Sequence, residues 1–363
     1  MQLNIVIGVF WYLVGNFHAT MSNRPICSID TPDPWVIAAN GVFYMMSTLG
    51  NHLEIWESRV LEDFHNPRKV KVWEPQGSGW GNGLWAPELH NINGTWFIYF
   101  CGERDGEGPK SRRTLILQSG SKDPMDPSGW RFMGPLKGVP ENWAIDATVF
   151  FPRPNELYCC YSGWPINDYS DTEQQLFIVK LANPFEAIPD TLAVISHPKY
   201  PWERPDGGNR GVNEGPEWID IPGFRGIVYS AHGSWTCDYK LGLLELVGDD
   251  PSDPKSWHKR KMPLLACDAP RGGPYGPGHA SFLPSPNGDG TVFCVYHGTE
   301  KIDDGWGNRK ARVIRLNGND FHRDAMPCCC AYSSSAPITG FNASGDLGYH
   351  LKSMGNKLLK SLK

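Results

Sequence analysis

Five polar side chains, Asp33, Glu88, Asp146, Glu214 and His279, each stand at the head of a similar stretch of sequence. An apolar run follows each head, then a turn rich in Gly, Pro or Asn, then a second run rich in aromatics. Asp33, Asp146 and Glu214 are carboxylates, and carboxylates at the mouth of a dry site can do acid–base chemistry. Hydrolysis of a glycosidic bond needs one carboxylic acid to protonate the leaving oxygen. A second carboxylate activates water or attacks the anomeric carbon. The acid must have a raised pKa, which burial and a neighbouring negative charge supply. Three carboxylates around one mouth provide a base, an acid and a charge that tunes the acid. A polar strand head is also an ordinary structural feature, but three carboxylates each followed by a buried run exceed that explanation.

The elements that must position them are short strands. The five stretches read DPWVIAANGVFYMMST from Asp33, PELHNINGTWFIYFCG from Pro87, IDATVFFPRPNELYCCYSG from Ile145, EGPEWIDIPGFRGIVYSAHG from Glu214 and GHASFLPSPNGDGTVFCVYHG from Gly278. Each is a β-hairpin in sequence form, two strand-length runs around Asn-Gly, Pro-Asn or Pro-Gly. A further strand follows most of them, as in LEIWESRV, RRTLILQSG, QQLFIVKLA, YKLGLLELV and KARVIRLN. The heads return every 55 to 68 residues, the period expected of propeller blades with three or four antiparallel strands. No helical pattern alternates with the strands, which argues against a parallel βαβ sheet. A β-sandwich explains the strands but not the regular return of a polar head. The expectation is an all-β, five-bladed β-propeller whose first strands start from one face. Ser47, Glu103, Ser162, His232 and His297, near the ends of the second strands, then reach the same mouth farther from the axis.

Composition agrees with this reading and excludes others. Gly 40 and Pro 31 supply turns, aromatics reach 12% and charged residues only 20%. A net charge of −5 and the lack of a long basic run argue against nucleic acid as a partner. The ten Cys have neither a disulfide framework nor a zinc spacing, and most of them read as small buried residues. Leu3 to Val14 is too short to span a bilayer and suits a signal-peptide core. Asn93-Gly-Thr and Asn342-Ala-Ser are glycosylation sequons that matter only in a secreted eukaryotic protein.

The wording around these heads resembles glycoside hydrolase family 43. The residues that carry the resemblance are Asp33-Pro34, Trp85-Ala-Pro-Glu88, Ala144-Ile-Asp146-Ala-Thr, Asn213-Glu214-Gly-Pro, Gly276-Pro-Gly-His279-Ala-Ser and Tyr296-His-Gly, in order over about residues 28–318. The match looks closest to arabinofuranosidase-type members. The resemblance implies Asp33 as the general base, Asp146 as the residue that raises and orients the acid, and Glu214 as the general acid. Asp30 competes with Asp33 but lacks the following Pro and strand start. Glu217 competes with Glu214, which sits at the head of its stretch. Arg309 and Arg312 follow the fifth stretch, where the family often places an arginine against the sugar; a solvated basic strand explains them equally. Trp85 and Trp164 are candidates to stack on sugar rings or to pack the core. Glu88 either bonds sugar hydroxyls or holds its loop. His279 resembles the position that helps hold a central calcium in many members, against a hydrogen-bonded structural histidine. Such a calcium would be structural and completed by water, with no cofactor required for the chemistry.

The expected organisation is a leader over residues 1–27, a propeller over 28–325 and an atypical tail over 326–363. The implied activity is that of an inverting, exo-acting α-L-arabinofuranosidase on arabinan or arabinose-decorated plant polysaccharide, extracellular and monomeric. Because separate blades place their acids across a channel, the geometry favours inversion. β-Xylosidase, endo-arabinanase and a non-catalytic carbohydrate-binding propeller are the alternatives.

Overall fold

The computed structural model describes residues 24–268, 273–285 and 289–322. The leader expected over 1–27 lies outside the described residues as far as residue 23, and the tail over 326–363 lies wholly outside them.

Among the described residues the chain forms β-strands joined by turns and short 3₁₀ segments. The first unit is an antiparallel meander of β1 (Trp35–Ala39), β2 (Val42–Met46), β3 (Leu53–Ser58) and β4 (Arg68–Trp73). Its first turn is Asn40-Gly41, with both residues at positive φ (54° and 76°), the backbone a tight two-residue hairpin requires. The second unit repeats the pattern with β5 (Asn82–Ile92), β6 (Thr95–Glu103), β7 (Arg113–Ser119) and β8 (Trp130–Pro135). In the third, β9 (Ala144–Arg153), β10 (Glu156–Gly163) and β11 (Glu173–Asn183) are flanked by β12 (Glu186–Ala187) and β13 (Ala193–Ser196), which both pair with β11. The fourth has β14 (Gly211–Ile221), β15 (Phe224–Ala231), β16 (Lys240–Leu246) and β17 (Trp257–Lys259). The fifth has β18 (Tyr275–Pro284), β19 (Thr291–Thr299) and β20 (Lys310–Asn317). A short parallel pairing of Glu173 and Gln174 with Gly211 and Val212 joins the third and fourth sheets.

The first strands contact one another in a ring: β1 lies against β5, β5 against β9, β9 against β14, β14 against β18, and β18 against β1. The segment before β1 completes the outside of the fifth unit. Ile26 and Thr31 donate their backbone N–H groups to the carbonyls of Ala311 and Arg309, at 2.8 Å each. Ile26 and Cys27 share a buried cluster with Val36 and Met45 of the first unit and Leu283, Val295 and Val313 of the fifth. Apolar burial thus ties the two ends of the described chain together, without a covalent link.

The heads of the first strands share one backbone feature. Asp33, Ala86, Asp146, Gly215 and His279 all take positive φ, between 45° and 55°. Strands β5, β9, β14 and β18 also shift register around these positions, as bulges do. Four of the five carry a side chain in a left-handed conformation, which costs about 1–3 kcal/mol each and persists only where the surroundings over-determine it. The bulge re-aims the head side chain away from the strand's ordinary alternation. The structural repeat therefore refines the one read from sequence: the fourth head is Gly215, directly after Glu214. In the second unit the equivalent position is Ala86, and Glu88 lies two residues farther along β5.

Candidate active site

The strand heads bring Asp33, Asp146 and Glu214 into one linked cluster built around His279. Asp33 is the last residue but one before β1. Its Oδ1 lies 3.2 Å from His279 Nδ1 and 3.6 Å from Arg309 Nη1. Its Oδ2 accepts a hydrogen bond of 2.6 Å from Thr48, whose oxygen accepts the Ala86 N–H at 2.7 Å. The Asp33 N–H donates to His297 Nδ1 at 3.1 Å. Burial alone would raise the Asp33 carboxyl. The charges of His279 and Arg309, and the hydrogen bond from His279, outweigh it and hold the group well below the usual carboxylate range.

Asp146 and Glu214 have the opposite setting. Both are buried. Asp146 Oδ2 accepts the Gly215 N–H at 3.0 Å, and Glu214 Oε1 accepts the Tyr239 hydroxyl at 2.8 Å. Burial, then the charge of Asp146, pushes Glu214 up to about 8 against the opposing Tyr239 hydrogen bond and His279 charge. Burial also raises Asp146, to about 6. His279 is pushed up to about 9, because Asp33, Asp146 and Glu214 outweigh the burial that disfavours its cation. Close to neutral pH the cluster therefore holds an ionised Asp33, a protonated Glu214 and an imidazolium between them. His297 is held well below its usual value, chiefly by burial, and stays neutral.

A side chain at Gly215 would be crowded as well as held at positive φ. A Cβ there would lie 3.1 Å from Ser230 Oγ and 3.2 Å from His279 Cγ, at φ +51°. The imidazole thus packs directly against the backbone that carries Glu214.

The remaining candidates separate. Trp85 is half-buried, with the Arg112 guanidinium 3.6 Å above one face of its ring. Trp164 is buried and stacks on Trp143 with centroids 4.8 Å apart, in a cluster with Cys101 and Ile145 that Trp85 also joins. It packs the wall of the site. Glu88 does not stand at the mouth: it is buried, with Oε2 2.7 Å from His90 Nε2. Glu217 lies beside it and is raised well above its usual value by burial and by Glu88. These two acids form a second, deeper pair. Arg309 faces Asp33, whereas Arg312 is buried and donates from Nε to the Gly298 carbonyl at 3.3 Å. Asp30 is exposed and accepts the Asn308 N–H at 3.0 Å, away from the Asp33 cluster. A cleft lined by Arg113, Lys137, Glu141 and Tyr161 includes none of the three carboxylates.

At His279, Nδ1 is engaged by Asp33, which leaves Nε2 as the ring atom that would face a calcium completed by water oxygens. Among the described residues no three His, Cys, Asp or Glu side chains gather as a metal-holding group. His279 instead serves as the charge partner of Asp33.

Thr48, Tyr239, Arg112 and Trp143 were not singled out from sequence. Thr48 and Tyr239 stand at the edges of repeat segments, just past β2 and just before β16, where nothing in the residue type marks them; the folded sheets make them neighbours of the acids. Arg112 pairs with Glu103, whose place at the end of a second strand was the one usable signal.

The chain is similar to proteins of known family over most of its length. The family model described as glycosyl hydrolases family 43 matches residues 22–327. An extracellular exo-α-(1→5)-L-arabinofuranosidase of Streptomyces avermitilis is 30% identical over 77% of this chain and 58% of its own length. α-L-Arabinofuranosidase 43 of Humicola insolens is 29% identical over 79% of this chain and 60% of its own. The chain therefore spans a little under two thirds of these relatives. The crystal structure of an α-L-arabinofuranosidase from Lactobacillus brevis superposes with a TM-score of 0.70 at 29% identity, covering 79% of this chain and 90% of that one. With matched positions from residue 22 to residue 327, the chain belongs to family 43 of the glycosyl hydrolases.

Proposed function

We propose that this chain is an inverting, exo-acting α-L-arabinofuranosidase on a five-bladed β-propeller, secreted and acting on arabinan or arabinose-decorated plant polysaccharide. The observation that carries the reading is the opposed setting of two carboxyls in one cluster, the part-buried Asp33 held ionised among His279, Arg309 and Thr48, and the buried Glu214 held protonated. Five antiparallel units with contacting first strands support the propeller. The names of the arabinofuranosidase relatives support the sugar, and two of those relatives are named extracellular.

In this reading Glu214 gives its proton to the glycosidic oxygen as the bond to the anomeric carbon breaks. A water attacks that carbon from the opposite face and passes its proton to Asp33. The sugar leaves with its anomeric configuration inverted, and solvent resets the two protons. Asp33 is a weak base, so its help comes late, once the oxocarbenium-like sugar has made the water acidic. Asp146 keeps Glu214 protonated by its charge and fixes the strand through Gly215. Asp33 and Glu214 come from the first and fourth units, with the His279 imidazole between them, which favours the separation that leaves room for a water.

The test is a screen of the wild type and Glu214→Gln against an aryl α-L-arabinofuranoside, an aryl β-xyloside and linear arabinan, with proton NMR of the first-formed sugar. Release of the β-anomer from the arabinofuranoside, lost in Glu214→Gln, is expected. A folded wild type inert on all three overturns the reading, and retained configuration overturns the mechanism.

A further inference from the structure

The rim beside the acid cluster carries a pair of tryptophans that the chemistry above does not use. Trp306 is 63% exposed, the most exposed among the large hydrophobic side chains recorded as exposed. Trp235 meets it edge to face, with centroids 5.9 Å apart at 74°. The pair is fixed rather than loose. The Trp306 indole N–H donates to Ser234 Oγ at 3.1 Å, and the Arg210 guanidinium stacks 5.0 Å from the Trp235 ring while its Nη2 donates to Asp171 at 2.8 Å.

Two connections tie this pair to the reacting centre. Arg309 donates from Nε to the Trp306 carbonyl at 3.0 Å and reaches Asp33 with Nη1, so one side chain spans from rim to base. Trp235 lies in the same β15–β16 loop as Tyr239, whose hydroxyl holds Glu214. Asp146 and Glu214 are buried, Asp33 is part-buried and Trp306 is in solvent, so a sugar in the cluster has its leaving-group end directed toward the rim. A pre-ordered indole face kept in water suits the apolar face of a sugar ring, which binds by burying C–H groups without needing a charge.

We infer that Trp235 and Trp306 form a stacking subsite for a second ring of a neutral oligosaccharide, on the leaving-group side. The inference rests on the proposed glycosidase reading for its direction and deepens it. The subsite makes a chain, rather than a single arabinosyl group on a small aglycone, the preferred substrate.

The test compares wild type, Trp306→Ala and Trp306→Phe on α-1,5-linked L-arabinotriose and on methyl α-L-arabinofuranoside, whose leaving group has no ring. Trp306→Ala is expected to lower kcat/KM on the trisaccharide about tenfold and to leave the methyl glycoside within about twofold, with Trp306→Phe between. An equal effect on both substrates, or none on either, overturns the subsite. Fluorescence titration of the same three proteins with arabinotriose, xylotriose and cellotriose reads the subsite independently of turnover. If the wild type hydrolyses nothing but Trp306→Ala weakens binding of one trisaccharide about tenfold, the glycosidase reading fails and the subsite stands. Unchanged Kd values for all three, with or without turnover, overturn it.

Discussion

The backbone N–H of Gly215 donates to Asp146 Oδ2 at 3.0 Å, so the carboxylate of the third unit grips the residue that follows the acid of the fourth. One side chain thereby bears on both the position of Glu214, through the strand, and its protonation, where its charge adds to the larger effect of burial. These two effects can be separated by replacing the carboxylate with an amide.

Asp146→Asn keeps an oxygen able to accept the Gly215 N–H and removes the charge. Without that charge the raised pKa of Glu214, about 8, must fall. The acid must be protonated to work, so the alkaline limb of the kcat/KM profile moves to lower pH. The wild-type limb should lie near 8, and activity near neutral pH should drop at least about tenfold in the variant, the range general acid catalysis supplies. A pH–rate profile checks both. An unmoved limb refutes the electrostatic role.

Tyr239→Phe should move the same limb the other way. The Tyr239 hydroxyl stabilises the ionised form of Glu214, so its loss raises the Glu214 pKa further. The limb then shifts upward while kcat falls, because one constraint on the carboxyl's orientation is gone. The acid limb should not reflect Asp33, whose carboxyl stays ionised far below the working range. A shift in the same direction as in Asp146→Asn would mean that the hydroxyl acts only through packing.

Much of this frame is legible in the sequence, and the reason is local. The Asn40-Gly41 and Asn93-Gly94 turns take positive φ because few other pairs can, and the apolar runs beside them pair as hairpins. The first strands also recur with a polar head. Less legible is which atom at each head faces the mouth. That depends on the bulges at Ala86, Asp146, Gly215 and His279, and a bulge shifts register by one residue without changing composition. Glu88 illustrates the limit: counted as a head, it lies two residues past the turn and pairs with His90 in the interior. Tyr239 and Thr48 illustrate another, since their contacts cross between segments far apart in sequence.

Chelation should leave the enzyme unaffected. His279 already pairs with Asp33 through Nδ1, and the acid–base chemistry proposed is carried by carboxylates, so no step of it calls for calcium. Dialysis against EDTA is expected to change kcat/KM by less than about twofold. Replacing His279 by Gln, by contrast, should raise the Asp33 pKa, so an acid limb enters the measurable range from below. Loss of activity on chelation that is restored by added calcium would reverse this assignment.

Behind β14 a buried ion pair holds the residue before the acid. Glu203 is fully buried and accepts the Lys199 and Tyr200 N–H groups at 2.6 and 2.7 Å, the Tyr229 hydroxyl at 2.8 Å and Asn213 Nδ2 at 2.9 Å, with Lys259 as its cation. Lys259 also donates to Asn213 Oδ1 at 3.0 Å. Lys259→Met leaves a buried carboxylate without its countercharge and should destabilise the fold by about 3–5 kcal/mol, measured by urea unfolding. Adding Glu203→Gln removes the stranded charge and keeps one acceptor oxygen, either for the Lys199 and Tyr200 N–H groups or for Tyr229 and Asn213, since the amide NH2 only donates. The double variant should therefore unfold at a higher urea concentration than Lys259→Met alone. A double variant less stable than Lys259→Met would mean that the other four donors, rather than the charge pair, hold Glu203. In that case Asn213, and through it Glu214, is positioned by neutral hydrogen bonds.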